Sequence, residues 1–205
     1  MATQPIVFSA AVEGIVDEAL LRKLCQFVGA MLGPVYGRNG KAYILQRLPG
    51  YNHSARFRHW VVMLDLDNDA SCVPEILPTW LTAPSRLMRL RVAVKETEAW
   101  LLGDRERLSG FLSVPTGMIP PNPETVADPK QLIVNLARRS RRKAIREDIV
   151  PLPGSGQSVG PAYTSRLVQF IHDEEHGWRP EKAADYCDSL RRCIRAMSQL
   201  MTEPL

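Results

Sequence analysis

An apolar run that ends in acids, Trp60-Val-Val-Met-Leu-Asp-Leu-Asp-Asn-Asp69, constrains the fold of this chain more than any other stretch. Its apolar part, Trp60 to Leu64, predicts a strand buried on both faces, because strands of parallel sheets carry such unbroken runs. Side chains alternate along a strand, so Asp65 and Asp67 point the same way if the strand stays extended that far. Two carboxylates at the carboxyl end of a parallel strand suit a hard divalent cation such as Mg²⁺. One alternative stays open, in which residues 67–69 only cap the next helix or form an Asx turn.

A second acid follows an earlier apolar run near the N-terminus. The run from Ile6 to Val12 predicts a first core strand, which ends at Glu13-Gly14. Asp17-Glu18 then opens a helix, since acids in a first turn are stabilised by the helix dipole, and Gly33-Pro34 is expected to end it. The stretch from Ala42 to Leu48 is interpreted as the second strand.

Acids recur after a third predicted strand, which runs from Leu87 to Val94. Glu96 and Glu98 follow it, but they cannot both face one point on a helix. At most one is therefore expected to join a metal cluster, and the other is expected to be exposed or paired with an arginine. Because these acids share one edge, the pattern predicts an α/β, Rossmann-like fold with a mostly parallel sheet flanked by helices.

The chain length and the charge distribution suggest how this sheet is extended. With 205 residues, the chain is one domain or a domain with an appendage. We expect an α/β core over residues 1–110, and a Pro-rich loop with a helical C-terminal extension that packs on it over residues 111–205. The net charge of +4 includes a dense run of cations from Arg138 to Lys143, which suits an anionic partner. A solvated helix end explains that run equally well.

Several other classes of protein are disfavoured by the sequence. The four cysteines show no CxxC spacing and no clustered histidines accompany them, which argues against a zinc site. The glycine-rich segment Pro153 to Pro161 lacks the GK[ST] ending of a Walker A loop. No charged leader opens the chain and no apolar stretch approaches the length of a membrane span. We therefore expect a cytoplasmic protein with reduced thiols and no membrane partner.

Five places in the sequence carry a family resemblance. They are Val12-Glu-Gly14 with Asp17-Glu18, Leu64-Asp-Leu-Asp67, Val94-Lys-Glu-Thr-Glu-Ala-Trp-Leu-Leu-Gly-Asp104, Asp128-Pro-Lys130 and the predicted closing helix from Trp178 to Leu190. A strand ending in Glu-Gly, a helix and a later strand ending in DxD resemble the Toprim domain of type IA and II topoisomerases, bacterial primases and OLD-family nucleases. The segment from Val12 to Glu18 is similar to the corresponding motif in the OLD-like branch. The whole chain resembles a family of small Toprim-like bacterial proteins known only as a domain of unknown function.

The resemblance implies a role for each matching acid. Glu13 is expected to contact a metal or to act as general acid or base near the scissile phosphate. Asp65 and Asp67 are expected to hold Mg²⁺ or Mn²⁺, and Asp17 to serve a second ion. Two such cations clamp the attacking and leaving oxygens of a phosphodiester displacement. The expected catalytic residues are thus Glu13, Asp65 and Asp67, and Glu98 is preferred over Glu96 as the last metal ligand.

The resemblance also implies cations and partners. Lys95 and Arg139 are candidates to stabilise the pentacoordinate phosphate. Nucleic acid, DNA or RNA, is expected to bind the cations of the basic run, which are Arg138, Arg139, Arg141, Arg142 and Lys143. Family members often sit beside an SMC-like or ABC-type ATPase in operons attributed to antiviral defence, which implies an ATPase partner.

Three functional hypotheses follow. The leading one is a Mg²⁺- or Mn²⁺-dependent nuclease that serves as effector of an ATPase-coupled phage-defence system. The alternative is a non-catalytic Toprim-like scaffold that binds the ATPase and nucleic acid. In the third, the acids merely cap helices. No tyrosine is placed like a topoisomerase nucleophile, which disfavours strand passage.

Overall fold

The computed structural model describes residues 5–67, 69 and 72–205, which form two compact units. The first unit comprises Met1–Val94 with Arg191–Leu205, and the second comprises Lys95–Leu190. The boundary expected near residue 110 stays a prediction. None of the helices in the described ranges is long and apolar enough to cross a membrane.

Strands and helices alternate through the first unit. Their bounds are β1 Val7–Val12, α1 Ile15–Val28, β2 Met31–Gly37, α2 Lys41–Ser54, β3 Trp60–Asp65, α3 Val73–Trp80 and β4 Met88–Ala93. Over the described residues, these four strands form one all-parallel sheet in the order β2-β1-β3-β4. The predicted α/β class, with a parallel sheet flanked by helices, is confirmed. The chain leaves β1 toward one edge and later returns to β1's other side, so the strand order reverses between β1 and β3.

The two central strands are buried because their apolar runs are unbroken. Val61, Val62, Met63 and Leu64 are at most 1% exposed, and β3 pairs with β1 from Ser9↔Trp60 to Val12↔Met63. On one side of the sheet, Ile44 and Leu48 of α2 pack in a cluster with Val62 and Leu64. These core contacts fix where β1 and β3 end relative to each other.

The sequence placed the second strand wrongly. The first helix does not continue to Gly33-Pro34, because Gly29 adopts a left-handed conformation with φ 81° and ends α1 there. Met31–Gly37 is the second strand instead, and it lies at the edge of the sheet, where Pro34 costs no ladder hydrogen bond on the open side. The predicted strand from Ala42 to Leu48 is the first half of α2, since Ile44 and Leu48 lie one helical turn apart and face the core.

The second unit is helical. It contains α4 Glu98–Gly103, α5 Arg105–Leu112, α6 Pro129–Arg138, α7 Lys143–Ile149, α8 Tyr163–His172, α9 Pro180–Ala183 and the beginning of α10 Asp188–Leu200. Two buried tryptophans organise it, because the Trp100 indole donates to Ser189 Oγ at 2.8 Å and the Trp178 indole donates to the Trp100 carbonyl at 3.0 Å. Asp128 caps α6, accepting from the Gln131 N–H at 2.7 Å.

The basic run does not lie in one helix. Arg138 is the last residue of α6, residues 139–142 are not helical, and Lys143 is the first residue of α7. The interpretation as one helix C-terminus is therefore wrong. The run turns the chain between two helices, and all five of its cations are exposed.

Candidate active site at the carboxyl edge of the sheet

The predicted acids Glu13 and Asp65 meet where the strand order reverses. Glu13 directly follows β1, and Asp65 is the last residue of its neighbour β3. Glu13 Oε1 accepts a hydrogen bond from the Asp65 backbone N–H at 2.8 Å. Open α/β sheets bind ligands at this position, in the crevice beyond the strand ends. The structure thus joins two of the three expected catalytic residues directly.

Glu13 is partly buried, and its carboxyl group titrates near neutral pH. Burial raises its pKa to about 6, although the Asp65 hydrogen bond and the charge of Lys41 act in the opposite direction. The nearby carboxylates of Asp17 and Asp67 add to the increase. A carboxyl group with such a pKa exchanges protons at physiological pH, as a general acid or base must.

Asp67 does not extend the strand. β3 ends at Asp65, and Asp67 has a left-handed backbone with φ 50°. The Asp69 N–H then donates to the Leu66 carbonyl at 3.1 Å, which closes a turn. The premise for the Asp65 and Asp67 pair, an extended chain through Asp67, is therefore wrong. The alternative that these acids cap the next helix is also wrong, because Cys72 occupies the N-cap position of α3. Asn68 of this segment lies outside the described residues.

Lys41 joins the acidic turn to the sheet edge. Its Nζ donates to Asp67 Oδ2 and to Asp69 Oδ2, both at 2.6 Å, and its side chain is only 15% exposed. Burial lowers the pKa of Lys41, but the hydrogen bonds to both aspartates outweigh burial and leave the pKa above its usual value. The ammonium group therefore stays charged at neutral pH. It also lies 5.8 Å from the ring centroid of Trp80.

A tight loop after β2 delivers Lys41 to this position. Gly37 has φ 92°, and a Cβ there would overlap the Val12 carbonyl oxygen. The Arg38 N–H donates to that same oxygen at 2.8 Å, and the Gly40 N–H donates to the Glu13 carbonyl at 3.2 Å. The loop is thus fastened to the end of β1, and α2 begins at Lys41 immediately after it.

Sequence reasoning missed Lys41 because it placed a strand over residues 42–48. In that interpretation Lys41 directly preceded a strand, and nothing directed its side chain toward the acids. The two glycines of Gly37-Arg-Asn-Gly40 were the available signal, since a turn between glycines directly before a helix points the first helical residue at the sheet edge. Lys95 and Arg139, the candidates named from sequence, both belong to the second unit.

Asp17, expected as a ligand of a second metal, caps its own helix. It is 8% exposed, and its Oδ2 accepts from the Gly14 N–H at 2.8 Å. The neighbouring Glu18 pairs with Arg38 at 2.6 Å and with Arg22 at 3.1 Å. Asp17 remains close enough to Glu13 to raise the pKa of Glu13.

The two later acids, Glu96 and Glu98, lie in the second unit. Glu98 is buried, and its Oε1 accepts from the Tyr163 hydroxyl at 3.1 Å and lies 3.7 Å from Lys130 Nζ. Burial, and next the Glu98 carboxylate, raise the pKa of the Tyr163 phenol, which therefore keeps its proton. Glu96 accepts from the Lys130 N–H at 3.1 Å and pairs with Lys130 Nζ at 3.3 Å. The partner of Glu96 is thus a lysine rather than an arginine, and the metal role of Glu98 stays a prediction.

The donor groups around Glu13 partly suit a metal. Carboxylate oxygens are the ligands that Mg²⁺ and Mn²⁺ prefer. Across the part of the chain that the structure describes, however, no three His, Cys, Asp or Glu side chains are grouped to hold an ion. Between Asp67 and Asp69 the positive charge is supplied by Lys41. A divalent ion fits these oxygens only if the Lys41 ammonium moves away from them.

Comparison of the chain with models of protein families, with curated proteins and with solved structures finds no match.

Proposed function

We propose that the chain is a Toprim-like nuclease that hydrolyses phosphodiester bonds of nucleic acid with Mg²⁺ or Mn²⁺, as effector of an ATPase-coupled defence system. One observation carries the proposal. Glu13, a carboxyl group with a pKa of about 6, hydrogen-bonds the backbone of Asp65 at the reversal of strand order, beside a charged lysine and two further aspartates. Phosphodiester hydrolysis needs these components: a proton acceptor, negative oxygens for a cation and a positive group for the phosphate.

Glu13 is the proposed general base. Its carboxylate is mostly ionised above pH 6 and can accept a proton from the attacking water. The hydrogen bond from the Asp65 N–H occupies Oε1, which leaves Oε2 for that proton. The fixed orientation of the carboxyl group removes much of the entropic cost of placing the base.

Lys41 and the acidic turn are proposed to exchange partners. When bound to the aspartates of this edge, a divalent ion supplies Lewis-acid polarisation of the phosphate. Because like charges repel, an ion held by Asp67 and Asp69 would weaken their ion pairs with the Lys41 ammonium and would let Lys41 turn toward the phosphate. A lysine side chain is long and flexible enough to reach the phosphate oxygens from the start of α2. Asp65 and Asp67 are thus proposed ligands, and Lys41 is the proposed phosphate-binding cation.

The second candidate function is the non-catalytic scaffold. The specific observation in its favour is that Lys41 neutralises both Asp67 and Asp69 with short contacts, so these acids are satisfied without an ion. A scaffold needs only binding surfaces. The five exposed cations between α6 and α7 provide one for nucleic acid, and the ATPase partner remains a proposal in either case.

The test is a cleavage assay on plasmid, linear duplex, single-stranded DNA and tRNA with Mg²⁺ or Mn²⁺. It compares the wild type with Glu13→Gln, and with Glu174→Gln as control, because Glu174 is exposed and lies outside the site. The nuclease predicts metal-dependent cutting by the wild type and by the control but not by Glu13→Gln. If the wild type cuts none of these substrates, even with an ATPase encoded beside its gene, the scaffold replaces the nuclease.

A further inference from the structure

The second unit contains a cavity of about 410 Å³ whose walls combine cations with aromatic rings. The cavity contains no residue of the acidic site, because every lining residue belongs to Lys95–Leu190. The volume falls within the range of small-molecule sites, which are mostly apolar with a few convergent polar groups. The lining includes three arginines, Arg107, Arg142 and Arg166.

The carboxylates of this cavity are already engaged. Glu106 Oε2 accepts from Arg179 Nη2 at 2.7 Å, and Asp173 Oδ1 accepts from the backbone N–H groups of Glu175 and His176 at 2.9 and 2.7 Å. These hydrogen bonds, that of His176 first, lower the pKa of Asp173. Neither acid is paired with Arg142. The cavity therefore carries an excess of positive charge that an anion can neutralise.

Donors remain open on two of the arginines. Arg142 is exposed and makes no side-chain hydrogen bond or ion pair within the described part of the chain. Arg107 donates from Nη1 to His176 at 3.2 Å, while its buried Nε has no hydrogen-bond partner among the described residues. This nitrogen has almost no solvent-accessible surface, so the groups of Arg107 that can reach a ligand are its terminal Nη atoms. Arg166 is held in a fixed orientation by Asp148 at 2.6 Å and by Gln169 at 2.9 Å.

Two phenylalanines contribute apolar surface to the cavity. Phe111 and Phe170 stack with centroids 4.8 Å apart and planes 24° from parallel, and Phe111 is only partly buried. No atom lies within 4 Å of the point where a Cβ on the neighbouring Gly110 would stand, so the space beside this helical position is open. A flat ring can lie against such a wall, with an anionic group directed at the arginines.

We propose that this cavity binds a small phosphate ester that carries a flat ring, of the size of a mononucleotide. The guanidinium groups of Arg107 and Arg142 bind the phosphate, and the ring of the ligand contacts Phe111, which Phe170 supports from the interior. The ligand is either a free nucleotide or the terminal nucleotide of a strand, which present the same chemistry. The cavity shares Arg142 with the basic run, but nucleotide binding to it does not require the proposed nuclease activity.

The test is isothermal titration of the full chain in EDTA, which keeps divalent ions off the acidic site. The probes are AMP, GMP, CMP, UMP, adenosine, inorganic phosphate and a 5′-phosphorylated dinucleotide. At least one mononucleotide is expected to bind, and adenosine and phosphate are each expected to bind at least about tenfold more weakly, since each lacks one half of the recognised group. If the dinucleotide binds more tightly than the mononucleotides, the cavity is a site for the end of a strand. If a mononucleotide binds more tightly, the cavity is a site for a free nucleotide.

Two glycine variants make the titration specific to the cavity. Gly110→Leu places a side chain in the open space without removing a charge, and leucine is favourable in a helix. Gly50→Leu is the matched control, because Gly50 is also exposed, helical and free of neighbours within 4 Å. Circular dichroism checks that both variants fold. Loss of binding at least tenfold in Gly110→Leu alone supports the site, and Arg142→Ala should weaken binding similarly. The proposal is overturned if no mononucleotide binds, or if Gly110→Leu binds as the wild type does.

Discussion

A carboxyl group buried beside other carboxylates holds its proton more tightly than one in water, and Glu13 is in that position. If it is the general base, cleavage should fall about tenfold per pH unit below pH 6, because only the ionised form accepts a proton. Glu13→Gln should reduce the rate at least about 100-fold at pH 7.5. Single-turnover rates between pH 5 and 8 check both statements. A profile without a bend near pH 6 contradicts the role.

The same pKa makes a prediction about stability. Because the folded pKa of about 6 exceeds the unfolded value of 4.5, the native state binds more protons between these values, and stability decreases as pH rises through that window. After allowance for solvent screening, the ionised carboxyl group costs about 1 kcal/mol at pH 7.5. The urea midpoint of Glu13→Gln minus that of the wild type should therefore be larger at pH 7.5 than at pH 4. An unchanged difference at the two pH values contradicts the raised pKa.

In the proposed nuclease, Lys41 competes with a metal for the same carboxylates, and this competition is measurable without catalysis. Lys41→Met keeps the apolar stem and removes the charge, so Asp67 and Asp69 should bind Mn²⁺ roughly tenfold more tightly, while cleavage is lost. Titration of Mn²⁺ followed by electron paramagnetic resonance gives the affinity, with exposed Lys182→Met as control. Weaker Mn²⁺ binding in Lys41→Met would mean that the lysine does not compete with the ion.

At the scale of elements, the loop from Gly37 to Gly40 fixes where Lys41 lies. Gly37→Ala needs both a strained φ of 92° and space that the Val12 carbonyl occupies, so it should cost about 3 kcal/mol or more. Gly40→Ala has a similar φ of 78° but meets nothing within 4 Å, so about 1 kcal/mol is expected. Urea unfolding measures both values. Equal costs would contradict a close contact between this loop and β1.

Three of the four strands were predictable, and the edge strand β2 was not. β1 and β3 are apolar runs because both of their faces are covered, and β4 alternates buried apolar residues with half-buried arginines. These patterns placed Glu13 and Asp65 correctly at neighbouring strand ends. β2 is an edge strand with exposed Met31 and with Pro34, so it lacks that signature. The α2 helix buries only Ile44 and Leu48, whose short apolar stretch does not separate helix from strand. Lys41 was missed for this reason alone.

The acidic turn marks a second limit of sequence reasoning. Alternation predicted that Asp65 and Asp67 share a face, but a residue with φ 50° breaks the alternation, and no glycine signals it at that position. Asp67 instead reaches Lys41, a partner 26 residues earlier in the chain. Such long-range ion pairs depend on where two loops end, which local sequence patterns do not encode. The types of functional group at this sheet edge were therefore predictable, but the hydrogen bonds between them were not.

At the scale of the whole molecule, both candidate functions require nucleic acid to bind the basic run. Each cation that contacts a phosphate adds about 0.9 to the slope of log affinity against log salt on duplex DNA. Replacing Arg138, Arg139, Arg141, Arg142 and Lys143 with glutamine should therefore flatten the slope by roughly one per contacting cation and weaken binding at least about tenfold at low salt. Fluorescence anisotropy at several salt concentrations measures this. The control replaces the same number of exposed cations elsewhere, at Arg56, Arg58, Lys182, Arg192 and Arg195. Equal losses in the two variants would mean that net charge alone drives binding and that the run between α6 and α7 is only a solvated turn.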